Sequence, residues 1–428
     1  MTAEPEAVVD GPASRFGAQR LYRDAASLVS SFVTNALLGV GFWAVAAKLF
    51  PPAQLGVMTA VLAVIVSVAI VVATGVGDTY TALLPAAGVD RPHLYRRGQR
   101  VFVVLALVGG VAAAGATVTW LDEVRGSVAV AALVVVGVFA WGALTLQTSA
   151  LVALGRARWL PAATIAANLA KIALLVLLAY TESWHPVELS FIVAAAVVIA
   201  VLQPMIERVV RSGRELPPAA APEGVLNRRF RLFVGQTVTS SALTMGLLMI
   251  TPFLVTVYSD PKQGALFALS LSIAQALDFI GGALAMSLVV HASSAPEEAG
   301  MMTRKIMIRA IALSSAGAVV LIAVAPTALR LLNPEYGALG ATPVIAALAA
   351  GSVVRCIYMV WAGLLRARRN MTTPLVMNAI TGVVLMTALP ILVPSRGAWG
   401  GAIALLFAQV VLVAGIIIHY GVTRRRAK

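Results

Sequence analysis

The feature that most constrains the fold is a series of long apolar runs that follow one another through almost the whole chain. Twelve of them reach the length of a membrane span, which needs about 20 mostly apolar residues. They lie at 25–49, 55–80, 101–121, 127–150, 159–180, 187–206, 232–257, 264–290, 307–329, 341–365, 373–394 and 398–420. Backbone amides in lipid must be satisfied inside the segment, and these runs are too long for barrel strands, so we expect twelve transmembrane helices.

Composition excludes the soluble alternatives that the charge alone would suggest. The 428 residues carry a formal net charge of +14, which by itself is typical of nucleic-acid-binding proteins. However, 60% of the residues are hydrophobic and 12% are charged, whereas soluble domains have about 45–50% and about 25%. We therefore expect an all-α polytopic membrane protein that has no nucleic-acid partner.

The distribution of the basic residues predicts the orientation. With both termini placed in the cytosol, 25 of the 32 Lys and Arg residues fall on the cytosolic side, five fall outside and two lie within spans. The five outside residues are Lys48, Arg125, Lys262, Arg330 and Arg396. This distribution follows the positive-inside rule. Together with a composition rich in alanine and arginine, it predicts a multi-pass protein of a bacterial cell membrane.

The polar segments and the spans predict five parts of the chain. The first 24 residues lack the order of a cleavable signal peptide, and the longest connection between spans is rich in proline and charge. The predicted parts are a cytosolic tail (1–24), an N-lobe of six spans (25–206), a cytosolic linker (207–231), a C-lobe of six spans (232–420) and a basic cytosolic tail (421–428).

The two halves of the chain repeat each other at an offset of 210 residues. The matching residues are Ser27, Ser30, Ser31 and Thr34 with Thr237, Ser240, Ser241 and Thr244, then 156–158 with 366–368, and Asn168 with Asn378. Because each half has an even number of spans, both share one orientation. This predicts two parallel six-helix lobes around a central cleft.

The repeated hydroxyl groups lie on one helix face in the first and seventh spans, because their spacing is i, i+3, i+4, i+7. Such groups either bond back to the helix backbone and let helices pack closely, or line a polar cavity. The match between two stripes favours a cleft across which they face each other. Pro252 lies inside the seventh span and should kink it.

Four ionisable residues lie within the spans: Asp78, Lys171, Asp278 and Arg355. For Arg355 and Lys171 the alternatives are a buried ion pair or a cleft cation that binds a pyrophosphate or an acidic sugar. Asp278 is either a counter-ion to one of these cations or a proton or sodium site that couples transport. Asp78, near the inner end of its span, is either such a group or an interfacial partner of Arg96 or Arg97.

One stretch of sequence resembles a known family. Residues 47–57 read Ala-Lys-Leu-Phe-Pro-Pro-Ala-Gln-Leu-Gly-Val, and the second span ends with Gly-Val-Gly-Asp at 75–78, followed by Leu-Leu-Pro at 83–85. Over about residues 20–100 the chain resembles Wzx-type polysaccharide flippases of the multidrug/oligosaccharidyl-lipid/polysaccharide (MOP) superfamily. The resemblance implies a MATE-like fold that moves polyprenyl-pyrophosphate-linked oligosaccharides from the inner to the outer leaflet by alternating access. It also implies partners among membrane lipids, glycan polymerases and other cell-envelope assembly proteins.

The candidate site follows from the intramembrane polar residues. We predict that a cleft binds an anionic lipid-linked glycan through Arg355, Lys171, Ser30, Ser31, Thr34, Ser240, Ser241, Thr244, Asn168 and Asn378. Asp278 and Asp78 are the predicted coupling or counter-ion residues. We expect no catalytic residue, no metal and no cofactor, because the sequence has no Walker-type motif and no metal-ligand spacing among its four histidines and one cysteine.

The main alternative is a small-molecule or drug exporter, either MATE-like or of the major-facilitator type. Major-facilitator carriers also have two parallel six-helix halves, but they usually carry Asp-Arg-x-Gly-Arg-Arg between the second and third spans. The corresponding loop, 88–98, lacks that order. A membrane-embedded glycosyltransferase or polymerase is disfavoured, because the only adjacent acidic residues on a predicted outer loop, Asp122 and Glu123, lie on a short one.

Overall fold

The structure is a computed structural model that describes residues 34–212, 223–294, 299–367 and 372–426. Within these residues all regular structure is helical and no strand is present. The prediction of an all-α polytopic membrane fold is therefore confirmed.

The described helices correspond to the predicted spans. They are α1 (Thr34–Leu49), α2 (Pro52–Leu83), α3 (Arg91–Trp120), α4 (Val128–Ala153), α5 (Leu160–Tyr180), α6 (Pro186–Arg211), α7 (Phe230–Tyr258), α8 (Pro261–Ser294), α9 (Ala299–Leu332), α10 (Ala341–Ala367), α11 (372–396) and α12 (398–426). The last two are one stretch that Gly397 divides, because its φ of 55° and ψ of −135° are not helical. The predicted start of the first span, 25–33, lies outside the described residues.

The helices form two lobes of six, α1–α6 and α7–α12. In the first lobe α4 packs against α2, α3 and α6, and in the second α10 packs against α8, α9 and the α11–α12 stretch. The predicted segment boundaries stay predictions. Both described ends of the linker are helical, since α6 continues to Arg211 and the helix that leads into α7 begins at Glu223.

Helix α2 joins the two lobes, because it contacts α7 and α8 as well as its own lobe. Two glycines permit the close approach. A Cβ on Gly56 would stand 1.7 Å from the carbonyl oxygen of Pro261, and a Cβ on Gly75 would stand 2.3 Å from Cγ2 of Val238. Hydrogen bonds add to this contact: Thr237 Oγ1 donates to the Gly75 carbonyl at 2.7 Å.

Helix α7 departs from α-helical geometry at a place that the sequence did not indicate. Residues Ala242–Gly246 form a π-helical turn, which inserts one extra residue into the helix and is frequent at functional sites. The carbonyl of Gly246 accepts a hydrogen bond from Ser67 Oγ of α2 at 2.9 Å. Pro252, the predicted kink position, lies one to two turns further along the same helix.

Candidate functional site

A wide cavity lies in the second lobe and is closed on one side by α2 of the first. We name it the arginine cavity after Arg355. Its volume is about 610 Å³, and it is lined by residues of α2, α7, α10, α11 and α12. It extends from Asp78 and Phe233, near the helix ends that adjoin the arginine-rich loops, to Arg355 and Leu405 deeper in the lobe. The cavity therefore occupies the half of the bundle nearer to the basic end.

The hydroxyl stripe of α7 lines this cavity, as do the polar residues that face it from α11. Ser240, Ser241 and Thr244 contribute from α7, and Asn378 and Thr381 contribute from α11. Thr244 Oγ1 donates to the Ser240 carbonyl at 2.8 Å, which leaves the lone pairs of this oxygen as acceptors. Bonding back to the helix and lining a cavity are thus compatible at this position.

Arg355 forms an ion pair with Asp278 across the interface between α10 and α8. Nη1 of the guanidinium lies 3.1 Å from Oδ2 of the carboxylate, and both side chains are only 13% exposed. Asp278 Oδ1 is buried and has no hydrogen-bond partner in the described structure. Of the two counter-ions considered for Asp278, the structure therefore selects Arg355 rather than Lys171.

Arg355 lies about 18 Å from the end of α10, since it is twelve residues from Ala367 and each residue rises about 1.5 Å. That depth is too great for an arginine to reach the interface by extending its side chain. The ion pair offsets the cost of the charge, and the remaining N–H donors of the guanidinium, which has five in all, can still bind a ligand in the cavity.

A second, smaller cavity lies in the first lobe, and we name it the lysine cavity after Lys171. It has a volume of about 200 Å³ and is lined by α1, α2, α4, α5 and α6, with α8 of the other lobe closing it. Its polar side chains come from both lobes, namely Asn35, Asn168 and Lys171 from the first and Ser272 and Gln275 from the second.

Three aromatic rings surround the ammonium group of Lys171. Its Nζ lies 4.3 Å from the ring centroid of Phe191, 5.1 Å from that of Trp141 and 5.8 Å from that of Phe42. Lys171 is 5% exposed and makes no ion pair within the described parts of the chain. Cation–π attraction therefore compensates part of the cost of burying this charge.

Asn168 links α5 to α1 beside this cage. Its Nδ2 donates to Asn35 Oδ1 at 3.1 Å and to the Thr164 carbonyl at 2.8 Å. Asn168 is 2% exposed, and its Oδ1 has no partner among the described residues. The lysine cavity therefore offers one ammonium group and one buried amide oxygen to whatever enters it.

The structure thus divides the predicted site between two cavities. Arg355, Ser240, Ser241, Thr244, Asn378 and Asp78 line the arginine cavity, whereas Lys171 and Asn168 line the lysine cavity. Thr34 is not among the lining residues of either cavity, and Ser30 and Ser31 lie outside the described residues. Most of the hydroxyl stripe of the first span lies outside the described residues, so the prediction that the two stripes face each other stays a prediction.

Several residues of these cavities were missed from the sequence. Phe42 and Phe191 complete the cage around Lys171. They were missed because an aromatic residue in an apolar run is expected to pack in the hydrophobic core. Gln409 in α12 also lines the arginine cavity, and its Oε1 is buried without a partner. A glutamine inside a membrane span was a visible indication of this position.

No group of histidine, cysteine, aspartate and glutamate side chains that could hold a metal ion occurs in the described ranges. The cavities present hydroxyls, amides, two cations and the carboxylate of Asp78. The hydroxyls, amides and cations are groups suited to binding anionic and hydroxyl-rich molecules.

No protein-family model matches the sequence, and no curated protein matches it. Solved structures nevertheless share its fold at low sequence identity. The lipid II flippase MurJ in an inward closed conformation has a TM-score of 0.72 at 12% identity, over 92% of this chain and 87% of that chain. A multidrug resistance MATE family transporter of the MOP superfamily in its inward-facing conformation has a TM-score of 0.67 at 15% identity, over 92% and 95% of the two chains.

An outward-facing conformation of a MATE family transporter scores lower, with a TM-score of 0.59 at 15% identity over 95% and 96% of the two chains. The chain therefore has the fold of MOP-superfamily transporters and is a multi-pass membrane protein. The finer likeness to Wzx-type flippases stays a prediction.

Proposed function

We propose that this protein is a transporter that flips a polyprenyl-pyrophosphate-linked oligosaccharide from the inner to the outer leaflet of a bacterial cell membrane by alternating access. The headgroup enters the arginine cavity from the basic end, and the polyprenyl tail stays in lipid. The flipped glycolipid then serves cell-surface polysaccharide synthesis, where glycan polymerases and other envelope assembly proteins are the expected partners.

The observation that carries this proposal is the composition and place of the arginine cavity. At about 610 Å³ it falls within the range of about 300–1,000 Å³ that is usual for ligand sites, which is room for a diphosphate and its first sugars. Hydroxyl and amide groups of α7 and α11 are suited to sugar hydroxyls. Arg355 supplies the charge-assisted donors that phosphate oxygens prefer.

The ion pair between Asp278 and Arg355 has a role in the proposed transport mechanism. Asp278 keeps the Arg355 guanidinium in the cavity wall at 3.1 Å when no substrate is bound. A phosphate that arrives uses the donors that Asp278 leaves unoccupied, so the buried charge is compensated in both states. Binding and release of the headgroup are therefore expected to leave the fold intact.

The likeness of fold supports a flippase and an exporter equally, since one neighbour is described as a lipid II flippase and others as multidrug transporters. One observation favours a small-molecule exporter of amphiphiles. The arginine cavity has a large apolar wall, to which Met245, Met359 and Leu385 contribute, and its one arginine is already paired. Transport of an apolar or weakly charged molecule is the second candidate function.

Depletion in the host, with polyprenyl-linked glycans measured by leaflet, separates the two candidates. For a flippase we expect an intact glycolipid to accumulate where a membrane-impermeant glycan probe cannot reach it. Complementation with the double variant Arg355→Gln, Asp278→Asn removes both charges together and should fail to restore flipping. The matched control Arg330→Gln removes a positive charge outside the cavity and should restore it.

Normal surface glycan and no accumulation, in a host without a second flippase gene, would reject the flippase. Increased sensitivity to amphiphilic drugs in the same strain would then support the exporter.

A further inference from the structure

A third cavity lies at the basic end of the first lobe, between α3 and α6. It shares no lining residue with the arginine cavity or the lysine cavity. We name it the basic-end cavity. Its volume is about 410 Å³, and its charged lining residues are Arg96 and Arg100 of α3 and Glu207 and Arg211 of α6. Three guanidinium groups thus face one carboxylate in a space that is large enough for a phosphate-bearing headgroup.

The single carboxylate is already engaged. Glu207 Oε2 lies 2.9 Å from Nη2 of Arg211, and its Oε1 accepts a hydrogen bond from Gln203 Nε2 at 3.0 Å. Arg96 and Arg100 form no ion pair with any residue that the structure describes. One helical turn separates them, so they share a face of α3 and repel each other, which an anion between them would relieve.

The wall behind these arginines is held by buried hydrogen bonds from four helices. Gln203 Oε1 accepts from Nε2 of the buried Gln147 of α4 at 2.9 Å and from the hydroxyl of Tyr95 at 3.4 Å. Tyr95 is 3% exposed, and its carbonyl accepts from the hydroxyl of Tyr80 of α2 at 2.7 Å. The wall of the cavity is therefore preorganised, and the side chains of Arg96, Arg100 and Arg211 are exposed at its mouth.

An apolar strip continues from the cavity into the membrane. On α3, Val104 and Leu107 follow Arg100 at i+4 and i+7 and are exposed, and on α6 Val197 and Val201 are exposed as well. Two acyl chains could lie along this strip while the headgroup occupies the cavity. A free phosphate ion has no apolar chain that could contact this strip.

We infer that the basic-end cavity binds the phosphate headgroup of an anionic membrane lipid. Planar guanidinium groups bind phosphate oxygens bidentately, and basic pockets between transmembrane helices on the cytoplasmic side hold such headgroups in membranes. The bound lipid bridges α3 and α6 in the first lobe, so the site is separate from the transport cavities and does not depend on which molecule they carry.

The test compares lipid retention by the purified full-length chain. Native mass spectrometry after reconstitution with phosphatidylglycerol and phosphatidylcholine measures the preference for the anionic lipid. We expect the Arg96→Gln, Arg100→Gln variant to lose that preference by about tenfold or more, given roughly 1 kcal/mol for each basic residue near the surface. The matched control is Arg156→Gln, Arg158→Gln, which removes two arginines from another basic turn.

The proposal fails if the control variant loses as much preference as the cavity variant, or if the cavity variant keeps it. Glu207→Gln provides a test of opposite sign, because removing the carboxylate should strengthen retention of phosphatidylglycerol. Inorganic phosphate distinguishes the two sources of the headgroup. If millimolar phosphate displaces the lipid more than chloride does at equal ionic strength, the site takes free phosphate and the lipid assignment is wrong.

Discussion

The arginine cavity and the lysine cavity are lined by equivalent helices of the two lobes but differ threefold in size. Helices α7, α10, α11 and α12 with α2 enclose about 610 Å³, whereas α1, α4, α5 and α6 with α2 and α8 enclose about 200 Å³. Asn378 and Asn168, 210 positions apart, line the two cavities at matched places. The repeat has therefore preserved the helix framework and one amide.

The two buried cations, Arg355 and Lys171, are not preserved between the repeats. The position equivalent to Arg355 is Thr145, and the position equivalent to Lys171 is Thr381. Asp278, the partner of Arg355, corresponds to Val68. Each lobe thus carries one buried cation of its own, compensated by a carboxylate in one lobe and by aromatic rings in the other.

This difference indicates that the two cations have different roles under the proposed function. Arg355 faces a wide cavity and has N–H donors that the ion pair leaves unoccupied. It is therefore suited to binding a headgroup that must enter and leave. Lys171 faces a narrow cavity whose rings fill the space around it, with Trp141 standing where the other lobe has Gly351. Lys171 is therefore suited to a contact that forms only as the lobes move, when α8 shifts against α5.

The largest expected effect comes from breaking the Arg355–Asp278 pair on one side. Asp278→Asn leaves a buried guanidinium without its counter-charge and should lower the free energy of unfolding by about 3 kcal/mol. The double variant Asp278→Asn, Arg355→Gln should recover most of that stability, because no unpaired charge remains. Thermal unfolding of the purified variants in one detergent measures both. Equal stability of the single and double variants would mean that the pair contributes nothing to the fold.

The variant Lys171→Met should have the opposite effect on stability. Methionine has nearly the shape of lysine without its charge, so removing an ammonium group that has no carboxylate partner in the described structure should leave the melting temperature unchanged or higher. Flipping in proteoliposomes should nevertheless fall by about tenfold, which corresponds to about 1.4 kcal/mol of lost substrate interaction.

A matched control for that variant is Lys171→Arg, which keeps the charge but places a planar group among rings spaced for an ammonium. It should show intermediate flipping. If Lys171→Met melted at a clearly lower temperature and still flipped normally, Lys171 would have to be reassigned to structural stabilisation.

The sequence predicted the features that depend on single helices. The twelve apolar runs and the 210-residue repeat follow from burial in lipid and from spacing, and neither needs knowledge of how helices are rotated. The orientation of the basic loops stays a prediction. The sequence left two possible partners for Asp278. Both Asp278 and Arg355 lie in spans, but whether their side chains point toward each other depends on the rotation of α8 and α10.

Features that depend on contacts between helices could not be predicted. The cage of Phe42, Trp141 and Phe191 brings together three helices, and the π-helical turn of α7 arises where its backbone meets α2 at Ser67. The close approach of α2 to the other lobe has the same origin, since Gly75 contacts Val238 of α7 and Gly56 contacts Pro261 of α8.

The smallest expected effect distinguishes two threonines of the same stripe. Thr237 Oγ1 lies 2.7 Å from the Gly75 carbonyl of the other lobe as well as 2.8 Å from the Phe233 carbonyl of its own helix, whereas Thr244 Oγ1 bonds to its own helix at Ser240. Thr237→Val removes the donor of a hydrogen bond between lobes and should lower the free energy of unfolding by about 1 kcal/mol. Thr244→Val should cost less than half as much, because the helix keeps its backbone bonds. Chemical unfolding of the two variants side by side measures the difference. Equal costs would show that the α2–α7 contact depends on glycine packing alone, so that the lobes are joined by shape rather than by this hydrogen bond.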